Sequence, residues 1–220
     1  MESEAQAGGG FRYGWLLGLI ATSLMFQLAA PDTALSRLVT VGLQSATLIL
    51  ALWTSQARPA IRRLAALAVV VAVLGSVSAA ITGGNTGKAG IAIVNLFLVA
   101  LAPVAVAAGV TRSVREYGGV TLATMFGVLC IYLLLGMLFS FGYAVIDGLG
   151  SDSVFAQTSD PDQADFLYFS YATLTTTGFG DLTASGGISR AVTTIEALIG
   201  QIYLVTVVAA IVSNMRPRRG

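Results

Sequence analysis

Charge and titratable chemistry are what this sequence has least of. Only 10% of its 220 residues are charged and none is histidine, whereas a soluble domain carries about 25% charged residues. Without histidine the commonest general base and metal ligand is gone. One cysteine, Cys130, excludes an intrachain disulfide. Its place inside an apolar run reads as a small packing residue. The formal net charge of +1 points to no strongly charged partner, and nucleic acid is not expected. What fills the chain is apolar: 55% hydrophobic residues and a mean hydropathy of +0.81. That is the composition of an integral membrane protein.

The apolar residues fall in six runs: Tyr13 to Ala30, Leu35 to Trp53, Leu64 to Ile81, Gly90 to Val110, Gly119 to Val145 and Ile188 to Val212. Each is close to or above the ~20 residues a helix needs to cross hydrocarbon, so the expected fold class is an all-α membrane protein with six transmembrane helices. Residues 1–12 read as a short, flexible cytoplasmic tail, without the basic start of a secretory signal. Residues 13–116 read as a four-helix domain, 117–215 as a second unit, and 216–220 as a short cytoplasmic tail. The cluster Thr82-Gly83-Gly84-Asn85-Thr86-Gly87 reads as a turn.

The arginines orient the spans. With the N-terminus inside, the cytoplasmic segments hold Arg12, Arg58, Arg62, Arg63, Arg112, Arg115, Arg216, Arg218 and Arg219, and the outer ones only Arg37, Lys88 and Arg190. This satisfies the positive-inside rule and makes both termini cytoplasmic. It also places Asp147 to Asp181 outside. That segment carries Asp147, Asp152, Asp160, Asp162, Asp165 and Asp181, and a ring of such loops concentrates cations at a mouth. Asp162 or Asp160 is a candidate N-cap for a short helix beginning near Pro161, with Asp165 favouring its positive end. The fourth run has no arginine between Gly90 and Thr111. Voltage sensing needs several charges moved through the field, each worth about 2.3 kcal/mol per 100 mV, so no voltage sensor is written here.

Between the last two runs lies Thr175-Thr176-Thr177-Gly178-Phe179-Gly180-Asp181, preceded by an amphipathic run from Asp165 to Leu174. A cation leaving water needs its hydration shell replaced, and a ring of backbone carbonyls does that. For successive carbonyls to face one side of an extended loop, alternate residues must adopt mirror-image conformations, and glycine at alternate positions suits this. One loop cannot close a ring, so a symmetric homo-oligomer follows.

The order of apolar span, short re-entrant helix, Gly-rich loop and apolar span resembles the pore module of the potassium-channel family. Thr176 to Asp181 resemble that family's selectivity-filter signature, T-x-G-[Y/F]-G-D. The resemblance implies a tetrameric potassium channel subunit in a lipid bilayer, the plasma membrane of a bacterium, with K+ as the permeant ion and no cofactor. It places the ion contacts on Thr176, Thr177, Gly178 and Phe179, with Gly180 completing the filter and Asp181 at the outer mouth. It assigns pore-helix support to Tyr168, Phe169, Ala172 and Thr175. Gly200 stands where the family has its inner-helix glycine, as a gating hinge or as a close-packing residue, and Gln201, Leu204 and Val208 would line the cavity. Phe179 replaces the usual tyrosine and Thr177 the usual valine. Glu196, an ionisable group in an apolar run, reads either as functional or as an acceptor for pore-helix threonines or Tyr171.

Gly178 to Asp181 also fit the G-x-G-D pattern of intramembrane aspartyl proteases. That chemistry needs a second carboxylate, and no other apolar run contains an aspartate apart from Asp147 beyond the end of one. A weakly selective cation channel and a non-catalytic membrane scaffold are the remaining alternatives.

Overall fold

The structure is a computed structural model that describes residues 2–55, 59–82, 84–117, 121–150 and 153–214. They form seven helices: α1 (Glu2–Ala29), α2 (Ala34–Thr54), α3 (Pro59–Thr82), α4 (Gly84–Tyr117), α5 (Leu122–Leu149), α6 (Gln163–Leu174) and α7 (Gly187–Asn214). Six are long and α6 is short, so the order of elements is the one the hydropathy predicts. Among the described residues, four segments are long and apolar enough to cross a membrane: Ala34–Thr54, Ala89–Arg115, Leu122–Leu149 and Gly187–Val207.

Several boundaries differ from the expectation. The first helix begins at Glu2, so residues 2–12 extend α1 instead of forming a flexible tail; once a helix is nucleated, each further residue adds a hydrogen bond at little cost. Asn85 to Gly87 belong to α4, not to a turn. The fifth helix starts at Leu122 instead of Gly119, because Thr121 and Thr124 form a reciprocal capping box that satisfies backbone donors otherwise left open. It also runs past Val145 to Leu149. Arg58, Gly119 and the 216–220 tail lie outside the described residues.

The fifth helix is the hub. It packs against α1, α4, α6 and α7, whereas α7 touches only α5 and α6. One apolar core joins Leu16 and Ile20 of α1, Leu48 of α2, Leu98 and Val106 of α4, and Leu134, Met137 and Phe141 of α5, and extends to Leu167 of α6. A second cluster, Tyr143, Val154, Phe155, Phe166 and Phe169, fixes the C-terminal end of α5 to α6. Phe169 meets the Tyr143 and Phe155 rings edge-on, at 5.2 and 4.9 Å between centroids. By contrast α7 exposes a long apolar surface that includes Ile188, Ile195, Leu198, Ile202 and Val205.

Candidate functional site

Asp162 caps α6. Its side chain accepts from the Asp165 amide at 3.0 Å, and Asp165 accepts from the Asp162 amide at 3.1 Å. Of the two caps the sequence offered, Asp162 is the one used. The segment before α6 is not merely a solvated acidic loop. Phe155 pairs with Ala184 in an antiparallel bridge, flanked by amide-to-carbonyl bonds from Ala156 to Thr183 and from Ser185 to Val154. Gln157 closes the same contact onto Thr183 through its own side chain. Asp147 accepts from the Val154 amide at 2.9 Å. The stretches on either side of α6 are thereby tied together.

At the other end of α6 the chain turns back on itself. The amides of Thr175 and Thr176 donate to the carbonyls of Tyr171 and Thr173, and those of Thr177 and Gly178 both donate to Ala172. Four consecutive N–H groups thus point at α6, and Ala172 takes part through its carbonyl, which accepts two of them. Thr176, Gly178 and Gly180 all have positive φ, +56°, +55° and +82°. Alternate residues of the loop therefore take the left-handed conformation. No heavy atom lies within 4 Å of where a Cβ would stand on Gly178 or Gly180, so those glycines are demanded by dihedral angle and not by space. The third such position is a threonine, and a β-branched residue held there costs on the order of 1–3 kcal/mol. A threonine carries no local signal for that conformation. Thr175 Oγ1 donates to the Tyr171 carbonyl and sits 2.8 Å from Thr177 Oγ1.

The far end of the loop is braced by Tyr168, one of the residues assigned to its support. Tyr168 lies parallel to Phe179, ring centroids 5.8 Å apart, and its hydroxyl donates to Asp181 at 2.7 Å. That hydrogen bond holds the Asp181 carboxyl below its usual range and raises the Tyr168 phenol. Phe179 has no hydroxyl to contribute, and Tyr168 supplies the link instead. Phe169 does not reach the loop; it anchors α6 in the aromatic cluster. In the single chain, residues 175–181 are exposed.

Behind the loop, Glu196 is fully buried at 0% exposure. It accepts from Ser170 of α6 at 2.5 Å and from Tyr143 of α5 at 2.7 Å. Neither a pore-helix threonine nor Tyr171 is its partner; Tyr171 donates to the Leu133 carbonyl instead. Tyr143 also reaches Thr193, one turn before Glu196, and Ser170 reaches the Gly136 carbonyl. One carboxyl therefore ties together α5, α6 and α7. Asp181, the other half of the G-x-G-D reading, lies in the exposed loop after the glycines, not inside a helix.

Gly200 faces the end of α6. A Cβ there would fall 2.1 Å from the Leu174 carbonyl oxygen, which already accepts from Tyr132 at 3.1 Å. The geometry gives Gly200 a close-packing role. Gln201 and Leu204 are exposed on the surface of α7, and the Val208 side chain lies outside the described residues.

Residues 128–216 match the family model described as "Ion channel". No curated protein and no solved structure matches the chain. The matched region takes in most of α5, all of α6, the loop and α7, and it supports an ion channel in a membrane.

Proposed function

We propose that this chain is one subunit of a potassium-selective channel in which four copies of the Thr176–Gly180 loop form the conduction path. The observation that carries this reading is the alternation of left-handed conformations at Thr176, Gly178 and Gly180, with the amides of Thr175 to Gly178 turned onto α6. A backbone whose N–H groups are spent on one side leaves its carbonyls for the other, and rings of carbonyls replace the hydration shell of a cation. Non-helical backbone at membrane depth survives only when buried in protein or lining a water-filled path, and in one chain this loop is exposed. Four-fold assembly supplies both the burial and the ring. It also gives the apolar face of α7 something to cover it. Gln201, Leu204 and Val208 are then the wall of the inner cavity, and Asp181 lies at the outer mouth.

The other four long helices complete six crossings, with both termini in the cytoplasm, as the arginine distribution favours. Without arginines between Gly90 and Thr111 of α4 they do not act as a voltage sensor. A weakly selective cation channel is the second reading, favoured by one observation: Phe179 carries no hydroxyl, so the filter's outer end hangs on the Tyr168–Asp181 bond.

The test is flux from purified protein in liposomes under a potassium gradient. Rubidium uptake that barium blocks and sodium does not share is the expected result. Equal sodium and potassium flux selects the second reading, and a protein that is never larger than a monomer in the bilayer overturns both.

A further inference from the structure

As a carboxylate, Glu196 can only accept, and the hydrogen bonds around it then do not balance. Ser170 lies 2.7 Å from the Gly136 carbonyl and 2.5 Å from Glu196 Oε1. Tyr143 lies 2.7 Å from Glu196 Oε2 and 3.1 Å from the Thr193 hydroxyl, and Thr193 lies 2.8 Å from the Ser189 carbonyl. Each hydroxyl has one proton to give, and a carbonyl only accepts. The Ser170 proton therefore belongs to Gly136 and the Thr193 proton to Ser189. Tyr143 has the one proton left for the carboxylate. The Ser170–Glu196 contact, the shortest of the set, then holds no proton and sets lone pair against lone pair.

A protonated carboxyl supplies what is missing. Its proton goes from Oε1 to Ser170 Oγ, Tyr143 donates to Oε2, and every proton has an acceptor. Only the longest contact, Tyr143 to Thr193, is left without a proton of its own. The surroundings agree. Glu196 is fully buried, and a buried carboxylate requires a paired cation. The titratable groups facing it are phenols, Tyr143 and Tyr132 of α5 and Tyr171 of α6. The last two donate to the Leu174 and Leu133 carbonyls. Arg190, the one basic residue in the α7 sequence, donates to the Ala184 carbonyl. Among the described residues no cation pairs with Glu196.

We propose that Glu196 is a neutral carboxylic acid that donates its proton to Ser170, and that losing this proton to alkaline solvent releases α6 and stops conduction. With the proton gone, Ser170 must choose between Gly136 of α5 and Glu196 of α7, so α6 keeps one of its two tethers there. A buried charge without a partner is left behind, which favours separation of the three helices. The loop that follows α6 loses its fixed base. Glu196 is thus a positioning residue that acts on the loop through Ser170.

The experiment uses the full chain in lipid nanodiscs, with carbon-13 in the glutamate side-chain carboxyls, and infrared spectroscopy across pH. Of the four glutamates, Glu2, Glu4, Glu116 and Glu196, only Glu196 lies within an apolar run. The expected neutral-pH spectrum holds one isotope-shifted band of a protonated carboxyl, absent from Glu196→Gln and reversibly lost from the wild type at alkaline pH. Rubidium flux in liposomes should fall at least tenfold over that alkaline range in the wild type. It should stay within twofold of its neutral-pH value in Glu196→Gln, whose amide donates to Ser170 and accepts from Tyr143 at any pH. Should that variant fail to fold, Tyr143→Phe, which takes a donor from the ionised form, should move the loss of band and of flux to higher pH. Labelled carboxyls that are all ionised at neutral pH, or a band that survives in Glu196→Gln, overturn the protonation. An alkaline loss of flux that is the same in wild type and Glu196→Gln overturns its link to conduction. The flux arm rests on the channel reading and the infrared arm does not, so a protein with the band and no flux fails that reading and upholds the protonation.

Discussion

Replacing Gly200 by alanine tests how α7 and α6 meet. In an exposed helix interior, Gly→Ala gains about 0.8–1.0 kcal/mol. Here the new methyl would stand 2.1 Å from the Leu174 carbonyl oxygen, where ordinary contact begins at 3.4 Å. Some part of the interface must then move by about 1.3 Å. The obstacle is backbone, not the end of a flexible side chain. If α7 backs away, it strains the Ser170–Glu196 and Tyr203–Val128 bonds. If the carbonyl rotates, it loses the Tyr132 hydroxyl, worth about 0.5–1.5 kcal/mol, and it turns the peptide into Thr175. Overpacking costs about 1–3 kcal/mol. With the propensity gain set against both costs, a net loss of about 1–3 kcal/mol is expected. Denaturation in detergent, read beside rubidium flux in liposomes, is the assay. A lowered unfolding midpoint together with reduced flux is the expected outcome. A Gly200→Ala protein that unfolds at or above the wild-type midpoint, and differs only in how often it conducts, refutes the packing argument and restores the hinge.

Three further substitutions probe the loop and its support. Gly178→Ala should abolish potassium conductance while assembly persists, because φ of +55° costs an L-residue about 1–2 kcal/mol and twists the carbonyls on either side; selective current from that variant would sink the filter assignment. Tyr168→Phe removes the donor that depresses the Asp181 carboxyl. A depressed carboxylate lends stability above its unfolded pKa and loses it as pH falls through the folded value, so acid inactivation of flux should begin at a higher pH in the variant; an unmoved acid limb refutes the brace. Glu196→Leu removes one hydrogen-bond partner from each of the buried Tyr143 and Ser170 hydroxyls, which keep Thr193 and the Gly136 carbonyl, so about 0.5–1.5 kcal/mol is lost per bond, whereas Glu196→Gln keeps a partner for both at its own position. A thermal scan in which the two variants melt together would show that the three-helix tie carries no weight.

The helix order, the short re-entrant element and the conformational demand of Gly178 and Gly180 were legible in the sequence, because each is a local property. Run length sets helices, and absence of a side chain sets left-handed turns. The sequence also placed an aromatic donor at Tyr168 and a carboxylate at Glu196. It misassigned the partners of Glu196, which come from α5 and α6 across 53 and 26 residues of chain, a separation no spacing rule spans.

The sequence by itself determined that this chain belongs in a membrane, which stretches form its helices though not where α1, α3 and α4 begin, and that Gly178 and Gly180 suit an alternating backbone. Tertiary structure alone decided that Thr176 joins the alternation, that Ala172 lends its carbonyl to two loop amides, and that Gly200 is a contact with Leu174. The physical reason is range. Hydropathy and dihedral preference act within a few residues, whereas a hydrogen bond or a steric contact depends on which distant backbone the fold brings to within about 3 Å.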